Sequence, residues 1–534
     1  MPGSRHPAGL LTSAVVLSLA LAACSSAPSD GGDSAEPRAG GHLTFALGSD
    51  PTCVDPHQAA TNDAVYAARG LVDSLTDQDP ATGRIVPWIA DSWDVSPDAS
   101  AFTFHLRDGL TFGDGTPVDA QSVKENLDAV FRLGAKSIPG SGYLSGYRST
   151  EVVDTRTAKV TFDQPNAQFL QATSTSTLGL LAPSTLKRSP ESLCAGPLTG
   201  SGPFNLDGYT PGKSVELSRR ADYAGGSSLW RHAGPAYLER ISFTVVPESG
   251  VRTGSLGSGQ IHAIAGVAPQ DEAALKGLGV TLLARSNPGV PVALSINTSR
   301  PQPGDIAVRR ALEIAVDRKE VVDTVLSGNY RPATSSLSST TTAYQDNSGL
   351  LAHDPVAAGR LLDAAGWTPG PDGIRAKNGV KLDLKVILAT NFGPNKSVLE
   401  LVQQQVKQAG IGITLRVLTI PDYQLAQKSG DYDLAWGNGT RADPDILRSA
   451  FSDKLLNLSH IQDPELQNLL DAQAAAADPA KRADLVAKAQ RRVLEQAYQI
   501  PVFEMTSVYA LSTGVHGVSL GSSSQVQFHD AWLS

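Results

Sequence analysis

The chain has 534 residues, 41% of them apolar and 18% charged, with 3 cysteines and a formal net charge of −9. That length exceeds the ~250–300 residues that one core sustains, so two or three domains are expected. Interspersed charges exclude a nucleic-acid footprint, the lack of repeated long apolar runs excludes a multispanning membrane protein, and regular apolar periodicity excludes a disordered chain. Three cysteines are too few to staple a small scaffold, so each calls for its own explanation.

At the N-terminus Arg5 and His6 precede an apolar run over 10–23. A charged start and a short apolar stretch read as a signal peptide over 1–23. The run ends in Leu21-Ala22-Ala23-Cys24, which resembles the bacterial lipobox, so Cys24 is the expected lipid-attachment residue. The alternative is an ordinary secretory peptide cleaved after Ala23. Residues 24–40 are rich in Ser, Gly, Ala and Pro and read as a flexible tether. A diacyl group supplies the two chains that stable anchoring needs, which places the protein on the extracytoplasmic face of the bacterial cell membrane. Cys53 and Cys194 then remain. In an oxidising compartment a leftover pair tends to bridge, and closing so long a loop is worth roughly 4–5 kcal/mol as an upper figure. Two buried thiols are the alternative.

The folded part is expected from Gly41. Leu43, Phe45 and Leu47 alternate as a strand, as do Phe102, Phe104 and Leu106. Asp119 is placed to cap a helix whose apolar face carries Val123, Leu127, Val130 and Phe131. Val215 and Leu217, then Ile241, Phe243 and Val245, mark two further strands. In the second half Asp305 opens a helix bearing Val308, Leu312, Ala315 and Val316. Asp354-Pro355 caps another, with Gly366 beyond its end. Leu382 to Leu388 alternate, Val398, Leu401, Val402 and Val406 keep helical spacing up to Gly410, and Ile411 to Val417 alternate again. Strand, helix and strand within about forty residues make a βαβ unit with parallel strands. Asp478-Pro479 caps a late helix, and two strands follow around Ile500 and Val508.

Catalytic motifs fail on context. Gly517-Val518-Ser519-Leu520-Gly521 matches a nucleophile elbow, but three serines follow where a helix is required, and His529 lies only ten residues on. Gly208-Tyr209-Thr210-Pro211-Gly212-Lys213-Ser214 is one residue short of a phosphate loop and runs into a strand. The ten histidines, His516 and His529 among them, show no metal-ligand spacing. No enzyme, metal or cofactor is expected.

Other strings add up to a family. Ala68-Arg69-Gly70-Leu71-Val72-Asp73-Ser74-Leu75, Pro87-Trp88-Ile89-Ala90-Asp91-Ser92-Trp93 and Phe102-Thr103-Phe104-His105-Leu106-Arg107-Asp108-Gly109 come first. Phe112-Gly113-Asp114-Gly115-Thr116-Pro117, Thr199-Gly200-Ser201-Gly202-Pro203-Phe204 and Ala364-Ala365-Gly366-Trp367 follow. Together they resemble the family 5 extracellular solute-binding proteins, the peptide and nickel receptors of ABC importers. The resemblance implies an α/β, two-lobed, periplasmic-binding-protein-like clamshell (type II, cluster C) with an extra small domain. Lobe I would comprise 41–80, 200–290 and 501–534, the extra subdomain 81–199, and lobe II 291–500. It also implies a monomer that binds a peptide or peptide-like solute between its lobes and delivers it to ABC permease and ATPase subunits. The other readings are a peptide-sensing or chaperone-like surface lipoprotein, and a receptor for a non-peptide anionic solute or metal chelate.

By the same resemblance the ligand would meet Ala60, Thr61 and Asn62 after Asp55-Pro56, Tyr143 of the extra subdomain, and a lobe II loop with Trp436, Asn438, Thr440, Arg441 and Asp443. Peptide receptors carry an acid four residues before that loop's proline, which pairs with the peptide's amino terminus. Thr440 stands there instead. Removing one partner of a buried ion pair costs on the order of 3–5 kcal/mol. An ammonium would therefore need Asp443 or Asp445, or else Arg441 would meet a carboxylate, phosphate or other acidic group. Arg441 could instead pair with Asp443 or Asp445 and order the loop.

Overall fold

Two sheets of different strand order organise the molecule. The computed structural model describes residues 36–389, 392–455 and 457–534; the signal segment, Cys24 and most of the tether lie outside them. The first sheet runs in the order Thr281–Ser286, Thr506–Leu511, Ala263–Ile264, His42–Leu47, Arg240–Val245, Ser214–Arg219, Phe204–Thr210. Its centre is parallel: His42–Leu47 pairs with Arg240–Val245 on one side and Ala263–Ile264 on the other. A parallel centre is covered on both faces. Accordingly Ala46 is as buried as Phe45 and Leu47. Phe45 sits among Phe528 and Phe243, with ring centroids 5.4 and 5.7 Å away.

The second sheet runs Arg331–Pro332, Gln499–Glu504, Gly289–Ile296, Leu434–Thr440, Asp383–Ala389, Gly412–Leu418. Asp383–Ala389 and Gly412–Leu418 are parallel and joined by the helix Asn395–Gln408, as the alternation and helical spacing predict. Asp305, Asp354 and Asp478 all cap helices through side-chain bonds to the first turn. A third, antiparallel sheet of Ala90–Val95, Ala101–Leu106, Thr157–Phe162 and Tyr147–Asp154 packs on the helix Ala120–Leu133. Asp119 forms a capping box with Ser122 at that helix's start. Val123, Leu127 and Val130 are buried, but Phe131 is half exposed and lies against Tyr147 at the rim. It falls at the edge of the apolar arc, where a helical face meets solvent.

The chain crosses between the two large sheets twice, at Asn287-Pro288 and at Met505. The crossings are tied: Asn287 N–H donates to the Met505 carbonyl at 2.7 Å, and the Ser507 hydroxyl to Asn287 Oδ1 at 2.8 Å. The second crossing corrects the expected return to lobe I at residue 501. Ala293 pairs with Pro501 and Val292 with Phe503, so the strand stays in the second sheet through Glu504. Apolar residues run on through both strands and leave no compositional mark at the crossing.

Cys53 and Cys194 are joined by a disulfide with an S–S distance of 2.03 Å. Nearby, the Gly200-Ser201-Gly202 segment lies flat on the backbone of residues 70–72. Gly202 N–H donates to the Leu71 carbonyl at 3.0 Å. A Cβ on Gly200 would stand 1.9 Å from that same oxygen. The Ser201 hydroxyl takes the Asp73 N–H at 2.8 Å and donates to the Leu180 carbonyl at 2.9 Å. The motif is therefore a close-packed seam, and glycine is required by space.

Candidate ligand-binding cleft

Parallel strands end at the cleft from both sides. In the first sheet the chain beyond Leu47, Val245 and Ile264 leads to Pro247, Gly266 and Val267, and in the second sheet Ala389 and Thr440 end there. Ligands of open α/β sheets bind beyond such carboxyl ends. The cleft holds a cavity of about 880 Å³ and an adjoining one of about 500 Å³, and Asn62, Asn438 and Thr440 line both. That is the scale of a site for a small solute.

The strand Leu434–Thr440 pairs with Gly289–Ile296, setting Thr440 opposite Gly289. Gly289 has φ +112°, and a Cβ there would lie 2.2 Å from the Gly439 carbonyl. This close approach leaves Asn438 and Thr440 exposed at the cleft. Ala60, Thr61 and Asn62 form the start of the helix Asn62–Arg69, where Thr61 accepts the Ala64 N–H at 3.3 Å. Tyr143 is buried, and burial pushes its phenol pKa up. The Arg441 guanidinium lies 5.3 Å from the centre of its ring. Arg441 also donates to Ser449 Oγ at 3.0 Å and Gln168 Oε1 at 3.2 Å.

Seven residues singled out from sequence, namely Ala60, Thr61, Asn62, Tyr143, Asn438, Thr440 and Arg441, thus line one continuous cavity. Trp436 and Asp443 do not. Trp436 is buried in the core of the second sheet, its indole N–H donating to Asn395 Oδ1 at 2.8 Å. Asp443 is buried in a bidentate pair with Arg482, at 2.6 and 2.8 Å. Asp445 is held likewise by Arg448, at 2.8 Å on both oxygens. Neither acid meets Arg441, which has no ion-pair partner among the described residues.

The cleft carries other groups that no motif announced. Arg252 ties strand ends together, donating to the Val246 and Pro247 carbonyls at 2.7 Å and to Gly266 at 3.3 Å. Burial lowers its pKa. Arg69 is half-buried beside Trp88, 4.6 Å from the ring centre, and donates to Ser74 Oγ at 2.9 Å. Asp77 is the acidic group on the wall; burial raises its pKa, while the Ser227 hydroxyl at 2.6 Å and Arg69 pull it back. Phe392 and Tyr330 supply apolar surface. Phe392, which the sequence reading missed, follows a predicted strand end in the βαβ unit, the one signal that could have found it; Arg252 and Tyr330 had no such signal.

The catalytic look-alikes dissolve. Ser519 lies in a short ladder, Ser519–Leu520 against Val526–Gln527, with no helix after it. Residues Phe204–Thr210 and Ser214–Arg219 form an antiparallel hairpin, so the apparent phosphate loop is its turn.

Residues 84–453 match the family described as bacterial extracellular solute-binding proteins, family 5 (middle). The chain is 25% identical over 549 aligned residues to the glutathione-binding protein GsiB of Shigella dysenteriae, covering 100% of both chains. Its fold is similar to that of NikA from Brucella suis in complex with Fe(III)-EDTA, with a TM-score of 0.80, 24% identity and coverage of 92% of this chain and 100% of that one. It is also similar to that of DppA from Helicobacter pylori in complex with the peptide STSA, with a TM-score of 0.75, 24% identity and coverage of 93% and 98%.

Proposed function

The chain belongs to the family 5 bacterial extracellular solute-binding proteins, non-enzymatic receptors of ABC importers, and from that premise we propose that it is lipid-anchored through Cys24 and binds a peptide or peptide-like solute by its carboxylate. The observation that carries this reading is Arg441: a cation on the cleft wall with no acidic partner among the described residues, opposite the helix start at Asn62. A guanidinium donates two parallel hydrogen bonds to a carboxylate in a charge-assisted pair. The acid that would hold a peptide's amino terminus is absent at Thr440, and Asp443 and Asp445 are spent on Arg482 and Arg448. The ligand's negative end, rather than its ammonium, is thus the end read by this loop. Glutathione, the ligand in GsiB's name, carries such carboxylates and is one member of the class.

The lobes are tied by two adjacent crossings, which suits closure by a small rotation about them. A ligand that touches both walls stabilises the closed form by its differential affinity for it. The test is a thermal-shift screen of short peptides, acylated peptides, glutathione, siderophores, metal chelates and sugars. A shift of several degrees with a carboxylate-bearing peptide is expected. Shifts confined to sugars or to metal chelates would overturn the peptide reading.

A further inference from the structure

His232, His529 and Asp530 come together away from the two cleft cavities, between Trp230 and Tyr237. Their ligand atoms all lie within 4.8 Å of one another. Asp530 Oδ1 stands 3.0 Å from His232 Nδ1 and 3.0 Å from His529 Nδ1. The other nitrogen of each ring meets a carbonyl: His232 Nε2 the Pro235 oxygen at 3.0 Å, and His529 Nε2 the Gly234 oxygen at 2.8 Å. The second carboxylate oxygen accepts the Arg231 N–H at 2.9 Å.

A carbonyl only accepts, so both Nε2 atoms carry hydrogen. In a neutral imidazole the lone pair is then on Nδ1. Two nitrogen lone pairs therefore face one carboxylate oxygen, an arrangement that repels unless a cation lies among them. A proton satisfies His529, whose Nδ1 is aligned with the carboxylate. It does not satisfy His232, whose Nδ1 is buried and out of hydrogen-bonding direction despite the 3.0 Å separation. An Nε2–H donated to a carbonyl is also the support that metal-ligating histidines use to fix tautomer and ring orientation. The rings are held on both sides. His529 stacks on Trp230 with centroids 3.9 Å apart and on His232 at 4.3 Å, and His232 lies 4.1 Å from Tyr237. His529 is 2% and Asp530 9% exposed, whereas His232 is 22% exposed and opens the site to solvent.

We propose that His232, His529 and Asp530 bind a divalent first-row transition ion through two imidazole nitrogens and one carboxylate. Two nitrogens and an oxygen suit zinc, nickel or copper rather than calcium or magnesium. The ion pins the loop 230–237 to the C-terminal segment. That segment reaches the cleft two residues earlier: Gln527 lines the cavity and accepts the Trp230 indole N–H at 3.3 Å.

The test uses tag-free, chelator-stripped protein and zinc chloride, followed by calorimetry and thermal shift. One zinc per chain at micromolar affinity or tighter is expected, with a rise in Tm. His232→Ala and His232→Gln should weaken zinc binding by about tenfold or more while keeping the zinc-free Tm of the parent. Cobalt should give ligand-field absorption bands that both variants lose. Absence of zinc binding, or binding unchanged in the two variants, would overturn the site and leave a proton-bridged pair.

Discussion

Glu313 is the residue whose burial has the clearest measurable consequence. It is 4% exposed, and its Oε1 has no hydrogen-bond partner. Burial pushes its carboxyl up to about 8, against the pull of Arg318 and Arg310. Arg318 does not form a direct pair with it, because its donors go to the carbonyls of Pro501, Val316, Leu351 and Glu313 itself. Between the unfolded value near 4.5 and about 8 the folded state holds a proton that the unfolded chain has lost. Stability is therefore fully present below that window and falls as pH rises through it, by at most about 1.4 kcal/mol per pH unit. Asp73, raised to about 7 by burial, acts in the same direction. Urea unfolding from about pH 5 to 8 should show a shallower loss for Glu313→Gln than for the parent. Equal slopes would show that Glu313 is ionised in the folded state.

Among the elements, the Gly200-Ser201-Gly202 seam is the most tightly packed, lying on the backbone of residues 70–72. A Cβ on Gly200 meets backbone, which has no rotamer to yield. Gly200→Ala should lower stability by about 1–3 kcal/mol or more, read as a lower urea midpoint. A midpoint equal to the parent's would mean that the seam can open without cost. In sequence this segment was visible only as a family string; its physical reason needed the 70–72 backbone laid across it. The βαβ unit was legible outright, since alternation, helical spacing and the turn at Gly410 all agree and the contacts are local. What escaped was set by distant partners. Trp436 reads as a candidate ligand contact until its indole meets Asn395. Asp443 reads as a partner for a ligand ammonium or for Arg441 until Arg482, from a later helix, takes both its oxygens. His232 and His529 are separated by most of two lobes' sequence, so no spacing rule links them.

At the scale of the molecule, two covered sheets are joined by two tied crossings, at Asn287-Pro288 and at Met505. Among the described residues no helix is long and apolar enough to cross a membrane. Among the described residues the cleft between the sheets carries three arginines against the single acid Asp77 on its walls, and Arg441 alone of the three lies on the second-sheet side. The proposed recognition of a ligand carboxylate therefore rests on that guanidinium. Its most direct test is a calorimetric cycle: the best peptide from the screen and its C-terminal amide, each against the parent and Arg441→Ala. A charge-assisted contact of about 1.5–3 kcal/mol predicts that amidation weakens binding to the parent by about tenfold to a hundredfold. The same amidation should have little effect on the variant, whose unfolding midpoint stays that of the parent. Equal losses on amidation in both proteins would contradict it.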